Sequence, residues 1–419
     1  SSSPLPTLSP ADVDAAVRQH AADLDAAGRL AGKRVLVLVP DDTRSGPLPA
    51  LLRAVRDAFV PRAAAVDVLI ALGTHPPMPP ERIDRHTGMT EAERAPMRVF
   101  NHEWERPETF ASLGTVTADE VAEISGGLLR EDVEVRLNRM VVDYDHVLVL
   151  GPVFPHEVVG FSGGNKYFFP GVSAREVIDV SHWLGALITS YEIIGTLGTT
   201  PVRALINKAA SLIPSDRSAL CYVVSPKDPT TLHGVFGGGI EEAWERAAEL
   251  SSRIHVAYVD RPFDTVLSVV PAMYDEIWVG AKGVYKLEPV VADGGEIILY
   301  APHITEFSEV HGEWIKKIGF HVRDWFRLQP EKFADVPRGV MAHSTHVRGA
   351  GTYDPATGEE RPRIRVTLAT GIPEAECRAV GLGYRDPATV DVESYAGRED
   401  EGVLLVRKAG ETLYRLRKG

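Results

Sequence analysis

The sequence predicts an α/β fold: two domains with largely parallel sheets flanked by helices. Three observations carry this. Short, continuous apolar runs such as KRVLVLVP (33–40) and HVLVLG (146–151) read as strands buried on both faces. Stretches of helical length alternate with them, the arrangement that builds parallel sheets. A chain of 419 residues exceeds one core, at about 100–200 residues per domain.

The elements follow in order. Residues 9–30 are rich in Ala, Asp, Val and Leu and reach Gly28 near their end, a helix with its stop. The run 33–40 is the first strand, DDTRSGPLP a loop, and LPALLRAVRDAF (48–59) a helix. AAVDVLIALGTH (64–75) is the next strand, closing in a loop that carries Thr74 and His75. The prolines of PPMPPERIDRHTG then suit a helix N-terminus. HVLVLG runs into the most unusual stretch of the chain, PVFPHEVVGFSGGNKYFFPGVSAREVIDVSHWLG (152–185). LCYVVS (220–225) is strand-like, and 237–252 ends as a helix. DTVLSVV (264–270), EIILYAP (296–302) and IRVTLATG (364–371) are strands, the last followed by the helix PEAECRAVG. GVLLVRKAGETLYRL (402–416) closes the chain as a hairpin or strand pair. The pattern sets an N-terminal domain at 1–258 and a C-terminal domain at 259–397, with 398–419 able to return to the first.

Composition excludes several classes. Apolar residues are 44% and charged residues 25%, near the globular average, which rules out a disordered or fibrous chain. No apolar run approaches the roughly 20 residues of a membrane helix. A net charge of −13 lacks the footprint of a general nucleic-acid binder, although local basic residues can still hold an anion. Cys221 and Cys377 match no metal or redox spacing and read as two buried thiols of a reduced compartment. The start SSSPLPTLSP has neither the basic nor the apolar region of a secretory leader. The expectation is a cytoplasmic protein without membrane or nucleic-acid partner. No heptad or interface stripe sets its oligomeric state.

Three strands of the first half end in polar loops: Asp41–Arg44, Thr74–His75 and Pro155–Lys166. In an open α/β sheet such loops share one edge. Arg44 suits a bidentate grip on carboxylate or phosphate; Asp41 or Asp42 can accept from a ribose or cap the next helix. His75 and His156 can each act as general base near neutral pH, against the blander role of structural hydrogen-bond partner assigned to His102, His146, His303 and His343. HEVVG (156–160) fails as a zinc-protease motif because Gly160 stands at the second ligand position. GFSGGNKY (160–167) fails as a phosphate loop on glycine spacing and on the missing hydroxyl after the lysine. What remains is a glycine-rich turn presenting Lys166 as a covalent anchor or charge partner. His182 reads as a metal ligand or as a helix-end histidine favoured by the dipole.

As a set, these segments resemble the lactate racemase family of nickel-pincer nucleotide enzymes. The shared features are a D-x-x-R loop (Asp41 to Arg44), a G-T-H loop (Gly73 to His75), P-H-x-x-x-G-F-S-G-G-x-K (Pro155 to Lys166) and a later histidine, His182. The resemblance is strong over 33–185 and weak through about 300. It implies that Lys166 carries the cofactor covalently. That cofactor is a nickel-bound pyridinium-3,5-bisthiocarboxylic acid mononucleotide. It implies that His182 completes the nickel coordination. Asp41, Asp42, Thr43 and Arg44 would hold the nucleotide, with Arg44 also facing substrate. His75 and His156 would be the two acid/base groups, and Lys282 would contact the substrate carboxylate. The family's glutamine three residues before that lysine is here Val279, beside Trp278, which alters the substrate pocket.

The implied activity is a racemase or epimerase that inverts C2 of a 2-hydroxy acid through a 2-keto acid. The C2 hydrogen is barely acidic, so hydride removal and return replaces proton abstraction. The two enantiomers present their hydroxyls differently, so two bases serve better than one. A cation must hold the carboxylate while the keto group reorients, and water must be kept out, which favours a cleft between the domains. Loading would need the cofactor's biosynthetic enzymes. Two other readings stand beside it: a metal-dependent hydrolase using His75, His156 and His182, and a non-catalytic cofactor-binding relative.

Overall fold

The structure, a computed structural model, describes residues 4–44 and 46–418. The chain divides into two compact units. The first comprises the residues up to Pro155, Phe161–Ser181 and Leu197–Ile254; the second comprises His156–Gly160, His182–Thr196 and the residues from His255 onward.

The first unit is built on a six-stranded sheet. Its strands are β1 (Arg34–Pro40), β2 (Ala65–Ala71), β3 (Val99–Asn101), β4 (His146–Pro152), β5 (Asp216–Val224) and β6 (Leu232–Gly238), in the order β6-β5-β4-β1-β2-β3. All pairs are parallel except β5–β6. β1 is buried from Val35 to Pro40, as a central parallel strand covered on both faces must be. It aligns Val37 with Val68 on β2 and with Leu148 on β4. Helices Pro10–Ala26 and Leu48–Phe59 cover one face. Val17, Ala21 and Leu24 of the first, with Leu51, Val55 and Phe59 of the second, join Val35, Val37, Val68, Ile70 and Leu148 in one core. The first helix starts on a capping box, with Ser9 and Asp12 each accepting from the other's main chain.

The second unit carries a five-stranded parallel sheet. With β7 (Val256–Val259), β8 (Phe263–Val269), β9 (Val291–Ala301), β10 (Arg365–Thr370), β11 (Gly383–Tyr384), β12 (Val403–Val406) and β13 (Leu413–Leu416), its order is β11-β10-β9-β8-β12. Leu267, Ile298 and Ala369 form the centre of its core. The closing segment departs from both sequence expectations. β12 and β13 do not pair with each other as a hairpin, and they do not return to the first sheet. β12 adds in parallel to β8 and β13 in parallel to β7, both in the second unit. A second departure bears on the site: 156–160 and 182–196, expected in the first domain, belong to the second unit. Arginines of that unit hold the latter segment. Arg323 donates to Leu187 O, Arg415 donates to Ile194 O at 2.6 Å, and Arg363 lies 4.1 Å over the Tyr191 ring. Among the described residues no helix is long and apolar enough to cross a membrane.

Candidate functional site

β4, β1 and β2 are adjacent and parallel, so their carboxyl ends leave the first sheet on one edge. The loops that follow them touch. His75 Nδ1 lies 2.5 Å from Asp41 Oδ2, and Gly73 N–H donates to Gly171 O at 3.0 Å. The Tyr167 ring fills the space where a side chain on Gly151 would stand.

Asp41 is buried, 5% exposed, and its other oxygen, Oδ1, accepts from Thr43 Oγ1 at 2.6 Å and from Thr43 N at 3.2 Å. Its carboxylate is thus fixed before it meets His75. The His75 side chain is 57% exposed, and its main-chain oxygen accepts from Trp104 Nε1 at 2.8 Å. A carboxylate on Nδ1 with the rest of the ring open is the arrangement of an oriented general base. Asp42 turns away to Arg82, with contacts of 2.6–3.0 Å that draw its carboxyl down; Arg44 is exposed.

Lys166 sits in the short 3₁₀ turn Gly164–Tyr167, is 9% exposed, and gives Nζ to Phe169 O at 2.9 Å. Gly163 and Gly164 have φ of +89° and +57°. A Cβ at Gly163 would meet Val153 Cγ2 at 2.6 Å, and one at Gly164 would meet Trp244 at 3.0 Å. Only glycine fits there. The turn is held from within by Arg203, fully buried on helix Pro201–Ala210, which donates to Gly163 O at 2.9 Å and Phe161 O at 2.5 Å. Arg203 stacks 4.1 Å over the Trp244 ring, and Trp244 Nε1 donates to Ser162 O at 2.9 Å. Burial lowers the Arg203 guanidinium to about 9.

The second unit holds the other candidates. His156 is half-buried, and its Nδ1 accepts from Val158 N–H at 3.0 Å. Glu157 Oε2 lies 4.0 Å from the same nitrogen. Burial works to raise the Glu157 carboxyl, but His156, a main-chain N–H, His346 and Lys286 outweigh it and hold it at about 2. His182 is exposed on helix Arg175–Ile188. Lys282 is half-buried, its ammonium 5.4 Å over the Tyr274 ring. Trp278 is stacked between His311 and His343, with centroids 4.2 and 4.1 Å away, beside half-buried Val279.

Residues 11–193 match the lactate racemase N-terminal domain. That segment of the chain thus carries the lactate racemase N-terminal domain. Among its relatives, the lactate racemase of Thermoanaerobacterium thermosaccharolyticum is 26% identical over 298 residues, 68% of this chain and 64% of that protein. That of Lactiplantibacillus plantarum is 24% identical over 277 residues, 64% of this chain and 60% of that one. The match therefore spans just under two thirds of these relatives' length. A crystal structure of a Thermotoga maritima protein is 35% identical, covers 98% of this chain and 99% of its own, and superposes with a TM-score of 0.78. The T. thermosaccharolyticum lactate racemase apoprotein, 19% identical over 96% of this chain and 93% of its own, shares the fold with a TM-score of 0.69.

His182, exposed on its helix, would offer one imidazole to a metal that brought its other ligands with it. Among the described residues no group of three or more His, Cys, Asp or Glu is placed to hold a metal ion. The four histidines read as structural are bonded or packed: His146 to Ser218 and Asp216, His102 to Asn138, His303 to Tyr274 O, and His343 against Trp278. Sequence reasoning missed Arg203, Trp244 and Glu157. Arg203 left one trace, a cation among the buried positions of an otherwise apolar helix face.

Proposed function

We propose that this protein is a racemase or epimerase inverting C2 of a 2-hydroxy acid, with the nickel-pincer nucleotide carried on Lys166. The observation that carries the reading is the Asp41–His75 pair on the same sheet edge as the buried Lys166 turn, in a chain that carries the lactate racemase N-terminal domain. When bound, the group supplies a reversible hydride acceptor for C2, so that the substrate passes through a planar 2-keto acid.

The residues do the rest. Asp41 holds His75 by Nδ1, which leaves Nε2 to take the hydroxyl proton. His156 is the second proton-transfer group. Lys282 grips the carboxylate, with Arg44 as a second cation, so that the keto acid can turn without leaving. Asp41 to Arg44 hold the nucleotide and His182 ligates nickel. Gly163, Gly164, Arg203 and Trp244 fix the turn from which Lys166 projects. The partners are the 2-hydroxy acid and the enzymes that build and load the cofactor.

The test is the intact mass of the denatured protein, produced with and without the cofactor-building enzymes and nickel, followed by assay of single-enantiomer 2-hydroxy acids. The expected result is a nucleotide-sized adduct on the Lys166 peptide and loss of optical purity. Lys166→Ala loses both. His75→Ala and His156→Ala keep the adduct and lose about 10²–10⁴ in turnover. Full activity in Lys166→Ala would sink the proposal.

A further inference from the structure

His75 and His156 have partners of opposite kind. A carboxylate can only accept, so the Asp41 oxygen 2.5 Å from His75 requires a proton on Nδ1 and leaves a lone pair on Nε2. A main-chain N–H can only donate, so Val158 N, 3.0 Å from His156, requires a lone pair on Nδ1 and puts the neutral ring's proton on Nε2. We infer that the two histidines rest in opposite tautomers, His75 as a base and His156 as a hydrogen-bond donor, and that Glu157 is the positioning residue that lets His156 take up a second proton. The inference rests on the proposed function for its role in turnover, but not for its geometry.

The second half follows from the His156 surroundings. In its neutral form the ring presents N–H at Nε2 and can neither accept a substrate proton there nor release one readily. To become an acid it must bind a proton at Nδ1. That proton comes from solvent; the new N–H forms as the Val158 N–H···Nδ1 bond breaks, since two donors then face each other. The Glu157 carboxylate, 4.0 Å from Nδ1, is the acceptor within reach of a small ring rotation. Against its own burial, the carboxyl is drawn down by His156 once that ring is charged, and by a main-chain N–H, His346 and Lys286, and its charge is felt in turn at Tyr285. His75 needs no such exchange, because Asp41 accepts from Nδ1 whether the ring is neutral or charged. His75 is thus ready as a base for one enantiomer, with His156 as the matching acid once it has taken up the second proton at Nδ1; from the other enantiomer His156 serves as a base only after that Nδ1 proton is in place and the Nε2 proton has left.

Nitrogen-15 labelling of histidine in the protein as expressed, without cofactor, reads this directly, with His75→Gln and His156→Gln to assign the signals. Long-range proton–nitrogen spectra at pH 8 should show His75 protonated at Nδ1 and His156 at Nε2. The same tautomer at both rings would overturn the inference. On acidification the Val158 amide proton should move with the His156 midpoint, as its hydrogen bond is lost; a Val158 signal indifferent to His156 discards the exchange. In Glu157→Gln the His156 midpoint should fall by about one pH unit or more, the effect of removing a nearby opposite charge. An unmoved midpoint removes Glu157 from the role. None of these readouts needs cofactor or substrate, so they stand apart from the racemase assay, whose failure would count against the proposed function alone.

Discussion

Asp41 serves two groups at once, and the division of its oxygens decides what a single substitution does. Oδ1 is taken by Thr43 N–H and Oγ1–H, both donors; Oδ2 is taken by His75. In Asp41→Asn the amide oxygen must stay on the Thr43 side, where both partners donate. The NH₂ then faces His75 Nδ1, which can only accept from it, and the imidazole proton moves to Nε2. A base becomes a donor without change of size. Under the proposed function, turnover should fall by about 10²–10⁴, the range for losing a general base, with the cofactor adduct unchanged. Steady-state rates beside intact mass would check it. Turnover within a few-fold of the parent protein would show that the pair is structural.

At the level of elements, the strands plain in the sequence, β1, β2, β4, β5, β8, β9 and β10, each carry a buried stretch rich in apolar residues, as interior strands of a covered sheet must. β6 was not legible, because LHGVFGG carries three glycines and pairs antiparallel at the sheet edge. The pairing of β12 and β13 was not legible either. Each joins a strand about 140–160 residues earlier, and nothing in a local pattern distinguishes that from a hairpin. The site divided in the same way. The loops and their histidines stood out by residue type, whereas the support of the Lys166 turn depends on helix Pro201–Ala210 and on Trp244, which only the fold brings there. Arg203→Met tests that support. The substitution relieves a buried charge but strands two main-chain oxygens, each worth roughly 1–3 kcal/mol when left unpaired. The expected net loss is about 2 kcal/mol, seen as a lower Tm, with reduced loading at Lys166. An unchanged Tm and full loading would mean that the turn holds itself.

Over the whole molecule, acid sensitivity is written into buried neutral histidines of both units. Burial lowers His20 and His102, in the first unit, to about 4, and His343, in the second, to about 3. His20 is 4% exposed, His102 fully buried and His343 6% exposed. In the unfolded chain each titrates near the ordinary histidine value of about 6.5. The folded value lies below the unfolded one, so between them the unfolded chain binds more protons, and falling pH favours unfolding. The stability each ring contributes is complete above about pH 6.5. It is lost as pH falls through that value to about 4, and to about 3 for His343. At about 1.4 kcal/mol per pH unit, each ring accounts for up to roughly 3–5 kcal/mol. Carboxylates act in another window: Asp216, held near 2 against its own burial by Arg29 and His146, withdraws its contribution only below about pH 4. Tm should therefore decline steadily from pH 7 to pH 4, before any carboxylate of ordinary affinity is fully protonated. His20→Gln can keep a hydrogen bond to Ser218, which His20 meets at 2.9 Å, without a titrating ring. It should flatten that decline by the share of one histidine while leaving the slope below pH 4 as it was. A Tm constant between pH 7 and pH 4 in the parent protein would mean that these rings admit protons while folded, and the buried-histidine account would fail for both units together.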